Sequence, residues 1–254
     1  MLAGEVDEAC AIWTRYLLAV PFALPFLFFG IPHLSARFFL LQLVAFPLEM
    51  VALFLYMHAI RISPLSLTIP FLSLTPVFLL LFGFLALGER PGLMQGAGVV
   101  LVGAGGYVLS SRSWVPLSAI LREPGSWLMI VVSVIYTFTA ILGKVLIRES
   151  SPSFYACYYL VAMTLLLTPF ALLRRKRTLH FSRNVMLMGF FHGGMVLTHM
   201  FAVALVNVAY FIALKRMAGL LSVVYGRVFF HEGYLFRRAI AAGMMLLGAV
   251  LVSL

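Results

Sequence analysis

The chain has 254 residues, of which 63% are hydrophobic and 10% charged, and its mean hydropathy is +1.09. A soluble domain carries roughly 25% charged residues, so this inventory cannot build a water-facing surface; it excludes disorder, a disulfide scaffold and a nucleic-acid binder. The net charge of +10 does not argue for nucleic acid either, because most basic residues fall in short breaks between apolar runs, where membrane proteins carry topology signals.

Runs of about 20 mainly apolar residues predict membrane-spanning helices. Nine follow in chain order: 10–30, 38–60, 64–88, 92–110, 126–147, 153–173, 185–206, 208–230 and 236–254. The longest links are Ser111–Gly125 and Arg174–Asn184. The runs are too long, and alternate too little, for barrel strands, so the predicted class is an all-α polytopic membrane bundle. The acidic start, Met1 to Glu8, lacks the basic region of a cleavable signal peptide. Within the third span Pro64, Pro70 and Pro76 recur every six residues and predict kinks with a gating role. In the fourth and ninth spans Gly92/Gly96 and Ala239/Gly243 are small-xxx-small pairs. They predict close helix packing at the periphery, with a homodimer contact among the expectations. Cys10 and Cys157 lie in or beside apolar runs, with no CxxC or Cys/His spacing; they read as packing residues, and no metal or cofactor is expected.

The chain repeats itself. At an offset of 143, Tyr56-Met57-His58-Ala59-Ile60 falls on His199-Met200-Phe201-Ala202-Val203, Tyr16-Leu17 on Tyr159-Leu160, Gly83 on Gly226 and Glu89 on Glu232. At 145, Gly98 to Gly103 falls on Gly243 to Gly248. The division predicted is 1–124, with four helices, and 125–254, with five. The counterpart of the span 126–147 would precede Met1, and both a shortened start and a nine-helix plan fit. Five spans per copy invert the second copy across the membrane, a frequent transporter plan.

The motifs that recur are Leu74-Thr75-Pro76-Val77-Phe78, Leu87-Gly88-Glu89-Arg90-Pro91 and the glycine-rich run Gln95 to Gly106. Their second copies are Ala213-Leu214-Lys215-Arg216, Phe229-Phe230-His231-Glu232 and Gly243 to Gly248. Over nearly the whole chain the sequence resembles the EamA-type transporters of the drug/metabolite transporter superfamily, apparently without the first of ten helices. The resemblance implies two inverted repeats around a central cavity, and carriage of amino acids, other metabolites or drugs.

Ionisable groups inside a bilayer are costly and usually face a cavity or a partner. Glu49 sits mid-span and His192 is its counterpart at the 143 offset. Glu49 is a candidate proton-coupling acid, or a structural partner of Lys215 or Arg216. Those two are adjacent and point about 100° apart on a helix, so they cannot both face one cavity centre; one is a candidate for an anionic group of the substrate, and bundle cohesion is the other reading. His58 and His199 are candidate proton shuttles or packing residues. Tyr56 and Tyr225, with Phe71 and Tyr210, are candidates to line a pocket for an organic solute. Glu89 and Glu232 are expected to cap or orient the helix that follows each.

Ten basic residues, among them the run Arg174 to Arg177, fall on one side of the membrane, and Arg37, Arg90, Lys144 and Arg148 on the other. The positive-inside rule places the first side in the cytoplasm, whereas the ten-helix plan places it outside. No Walker A, HExxH, GxSxG or paired-Asp motif occurs, which argues against ATP-driven pumping and against an enzyme. The expected function is secondary transport of a small organic metabolite or drug across the cell (inner or plasma) membrane, by alternating access and with proton coupling as one option. The expected partners are that solute and membrane lipid. Flipping of a lipid-linked group, and a non-transporting truncated membrane protein, are the alternatives.

Overall fold

The structure, a computed structural model, describes residues 8–63, 68–110, 123–173, 183–218 and 235–254. Among these residues there is no strand. The helices are α1 (Glu8–Ala23), α2 (Ala36–Ile62), α3 (Thr75–Leu87), α4 (Leu93–Ser110), α5 (Pro124–Glu149), α6 (Pro152–Leu172), α7 (Arg183–Leu205), α8 (Val208–Arg216) and α9 (Leu235–Ser253). Five segments are long and apolar enough to cross a membrane: Ala36–Ile62, Ile69–Leu87, Pro124–Glu149, Pro152–Leu172 and Arg183–Leu205. Shorter apolar stretches at Ile12–Phe28, Leu93–Leu109 and Ile240–Ser253 fall in three further predicted spans. The eighth span is described only through residue 218.

Local chemistry sets the helix ends. Ser151 caps α6 by accepting from the Phe154 N–H at 3.3 Å, with Pro152 behind it. At the start of α2, Ser35 accepts from Phe38 N–H and donates to Glu149, which also holds Arg37 at 3.0 Å. The Ser63 hydroxyl, at the end of α2, accepts from Gly125 N–H and donates to Glu123, tying α2 to the first turn of α5. The prolines of the third span act differently from the expected kinks. Pro70 opens a 3-10 segment, Ile69–Leu74, and Pro76 opens α3 behind it; Pro64 lies outside the described residues. Proline is tolerated in a first turn, where its missing N–H is not needed. The span therefore tightens and then relaxes. The Phe71 carbonyl in the tight part accepts the Ser133 hydroxyl of α5 at 2.7 Å.

Two compact units emerge: Met1–Gln42 with Lys144–Leu205, and Leu43–Gly143 with Val206–Leu254. Each draws on both halves of the sequence. In the first unit α1 packs on α6 and α7. A Cβ at Gly189 would overlap Leu18, and one at Gly193 would lie 3.0 Å from the Ala19 carbonyl, so α7 meets α1 backbone to backbone. In the second unit Ala59, Phe71, Leu72, Met129 and Val132 form one core cluster, and Val99, Val102, Ala213, Met245 and Val252 another. The fourth and ninth spans pack closely on one another as expected, but within this chain Gly96 and Gly243 have open space beside them and Gly92 lies against Gln95. The tight points are Gly98 against the Gly248 carbonyl, 2.6 Å from a built Cβ, and Gly105 against Ala241 and Met245.

The direction of these contacts carries the topology. Gly98, early in α4, meets Gly248, late in α9, while Gly105 meets Ala241 and Met245. In the first unit Cys10 reaches Ala171, Trp13 reaches Thr168 and Tyr16 reaches Tyr159. Counterpart helices of the sequence repeat thus run antiparallel in both units, the relation that inverted repeats require.

Candidate functional site

Glu49 is half-buried on α2, and Lys215 lies in its field. Lys215 is exposed on α8; Arg216, which repels it, is half-buried. The groups whose fields act most strongly on Arg216 are the phenols of Tyr136 and Tyr56. Both tyrosines pack against the Ala59–Phe71–Leu72–Met129–Val132 cluster. The Nε of Arg216 is buried and has no hydrogen-bond partner among the described residues. All five residues belong to the second unit, where α8 packs on α3 and α4. His58 is on the exposed side of α2. His192 and His199 belong to the first unit. His192 is buried, 8% exposed, with its ring edge-on to Tyr16 at 4.9 Å; His199 is half-buried. Of the further pocket candidates, Phe71 is core and Tyr210 flanks the second cluster. Tyr225 and Glu232 lie outside the described residues.

The placement of α8 rests on a contact that local sequence does not announce. Asn207 accepts from Ala209 N–H at 2.9 Å, and Glu89 accepts from Val208 N–H at 3.2 Å. Gly88 makes this reach available: it ends α3 at φ 66°, a left-handed turn that glycine adopts freely. Glu89, expected to cap or orient α4, holds with its carboxylate the first turn of a helix from the other half of the sequence. Such a carboxylate also complements the positive end of the helix.

Three features escaped sequence reasoning. Tyr136 gave no signal beyond its place in an apolar run. Lys144, counted above as a loop charge, is inside α5 and only 4% exposed, so the weakly basic side of the membrane loses one of its four charges. Tyr16 and Tyr159 had served only to set the repeat register. Their hydroxyls are in fact 3.3 Å apart, and the pair was findable from the offset once inversion was granted.

The sequence matches the EamA-like transporter family over residues 2–111 and again over 123–254. With its apolar helices, the chain is a polytopic membrane protein of a transporter class. It belongs to the EamA-like transporter family, whose members carry small solutes across membranes and are not enzymes. No curated protein matches it in sequence. A solved structure, described only as a crystal structure of a protein, superposes with a TM-score of 0.82 over 99% of this chain and 90% of that one, at 17% identity. At that identity the likeness speaks for the fold alone.

Proposed function

We propose that this protein is a secondary transporter of a small organic solute in the cell membrane. It works by alternating access between two inverted repeats, 1–124 and 125–254, and uses Glu49 for proton coupling. The observation that carries the reading is the antiparallel packing of repeat counterparts, Tyr16 on Tyr159 and Gly98 on Gly248, since such halves can exchange conformations to open a site to either face. Charged groups within apolar helices support it. Glu49 and Lys215 attract one another, so a proton on Glu49 would weaken its hold on Lys215 and leave that cation to a solute. His192 and His199, in the first unit, are separate candidates for carrying protons. The test is solute counterflow in proteoliposomes across a metabolite panel. Wild-type protein exchanges at least one solute, and Glu49→Gln and Lys215→Ala each lower the rate at least about tenfold, the scale of one charge-assisted hydrogen bond. Exchange retained in both variants removes these residues from the site; no exchange across the panel removes the transport reading.

A further inference from the structure

Gln42 on α2 is 3% exposed, and both ends of its carboxamide are buried with no hydrogen-bond partner among the described residues. A carboxamide can donate two hydrogen bonds and accept two. Left unmet in an interior, such a group raises the energy of the conformation that buries it. The repeat does not demand an amide at this position, since the counterpart at the 143 offset is Val185. Phe38, Gln42 and Ala45, four and three residues apart, form the buried face of α2 here, while Leu40 and Leu43 are exposed.

Contacts one turn earlier hold that face shut. Phe38, fully buried, sets its ring 6.4 Å from Phe154, 6.3 Å from Tyr155 and 5.5 Å from Tyr158, all on α6. Beside it, Ser35 and Arg37 bind the Glu149 carboxylate at the end of α5. All of these residues but Ala45 and Leu43 belong to the first unit. The arginine of the ion pair is 69% exposed, so that pair is weak; the ring contacts are the firmer part. Favourable contacts thus close the start of α2 over a residue that closure penalises.

We propose that the start of α2, residues 35–42, is a gate, closed in this structure, and that Gln42 biases it toward opening. Opening parts Phe38 from α6 and lets water meet both ends of the amide. The unmet amide keeps the closed form from becoming too stable to leave. Use of the gate for solute passage rests on the transport reading; its opening is measured without solute.

Double electron–electron resonance on the detergent-purified protein reads the distance between the start of α2 and the end of α5. Spin labels sit at Leu40→Cys and Arg148→Cys, both exposed, with Cys10 and Cys157 replaced by alanine. Two distances are expected, a short one that matches this structure and a longer one. Gln42→Met, apolar and of similar size, lowers the ratio of long to short at least about tenfold, the scale of one unmet buried polar group, and raises the melting midpoint. Phe38→Leu raises the ratio several-fold. Leu43→Met, on the exposed side of the same helix, leaves it unchanged. Should Gln42→Met not fold, Gln42→Leu is measured in its place. A single distance in wild type and Phe38→Leu alike overturns the gate. A ratio that the Gln42 variant leaves alone or raises, or a melting midpoint that it lowers, overturns the role of Gln42. The expected distances in a protein without counterflow strike the transport reading and leave the gate standing.

Discussion

Lys215 and Arg216 share a turn of α8 but not an environment, because consecutive helical residues diverge by about 100°. One side chain is exposed and the other half-buried, so equal substitutions at the two should not behave alike. The same reasoning applies to Tyr16, which is buried, paired to the Tyr159 hydroxyl and stacked edge-on by His192. Tyr16→Phe keeps the ring contacts and removes one hydroxyl; the expected loss is about 0.5–1.5 kcal/mol in thermal or denaturant unfolding. A larger loss would mean the hydroxyl serves more than its pair. Charged residues within apolar runs were legible from sequence as candidates, since their cost in lipid makes them conspicuous. Their partners were not. Tyr136 packs against the cluster around Phe71 and Met129, and an aromatic residue in an apolar run has no mark that sets it apart. Lys144 was misplaced because only four residues lie between it and Glu149, the last of α5, too few for hydropathy to locate a membrane boundary.

At the scale of elements, close approach decides which glycines matter. Gly189 and Gly193 face the α1 backbone, whereas Gly96 faces open space. Gly189→Leu should overpack this crossing by about 1–3 kcal/mol and lower the melting midpoint. Gly96→Ala should be neutral or raise stability by up to about 1 kcal/mol, since alanine favours helix. Paired melts of the two variants check this, and the opposite order would refute the assigned crossing. Spacing alone could not choose among these glycines: small residues four apart occur on several faces, and only the tertiary crossing selects one. Glu89 is a second element-scale case. Removing its acceptor with Glu89→Ala frees the Val208 N–H of α8, at a cost of about 0.5–2 kcal/mol, while Glu89→Gln keeps an acceptor oxygen and recovers part of it. Melting of the three proteins ranks them wild type, Gln, Ala. The Gly-Glu motif was plain in the sequence, but its target lies 119 residues away, beyond any local capping rule.

For the whole molecule, inversion follows from packing direction. Trp13→Cys with Thr168→Cys should be joined by a short bifunctional thiol reagent, because the Trp13 indole hydrogen-bonds Thr168 at 2.9 Å and its replacement by cysteine leaves a gap of several ångströms, more than a disulfide spans. Trp13→Cys with Ser153→Cys, at the other end of α6, should not. The reverse pattern would mean parallel counterparts and would undo the inverted plan. Most of this level was readable beforehand: apolar run lengths gave the helices, and the 143-residue offset gave the duplication. What the offset could not reveal was that compact packing units mix helices from both copies, since similarity along the chain says nothing of which copies touch.

The meeting of Tyr16 with Tyr159 has one more consequence. A residue that touches its own counterpart lies at the dyad of a structure with two matching parts, where, before duplication, a single codon would have specified both ends of the contact. Duplication freed the two ends to diverge, yet here both remained tyrosine. Away from that point the copies have parted, with Glu49 opposite His192 and Leu72 opposite Lys215 in the alignment. A symmetric ancestor would have carried each chemical group twice; this descendant has an acid in one copy and a cationic pair in the other.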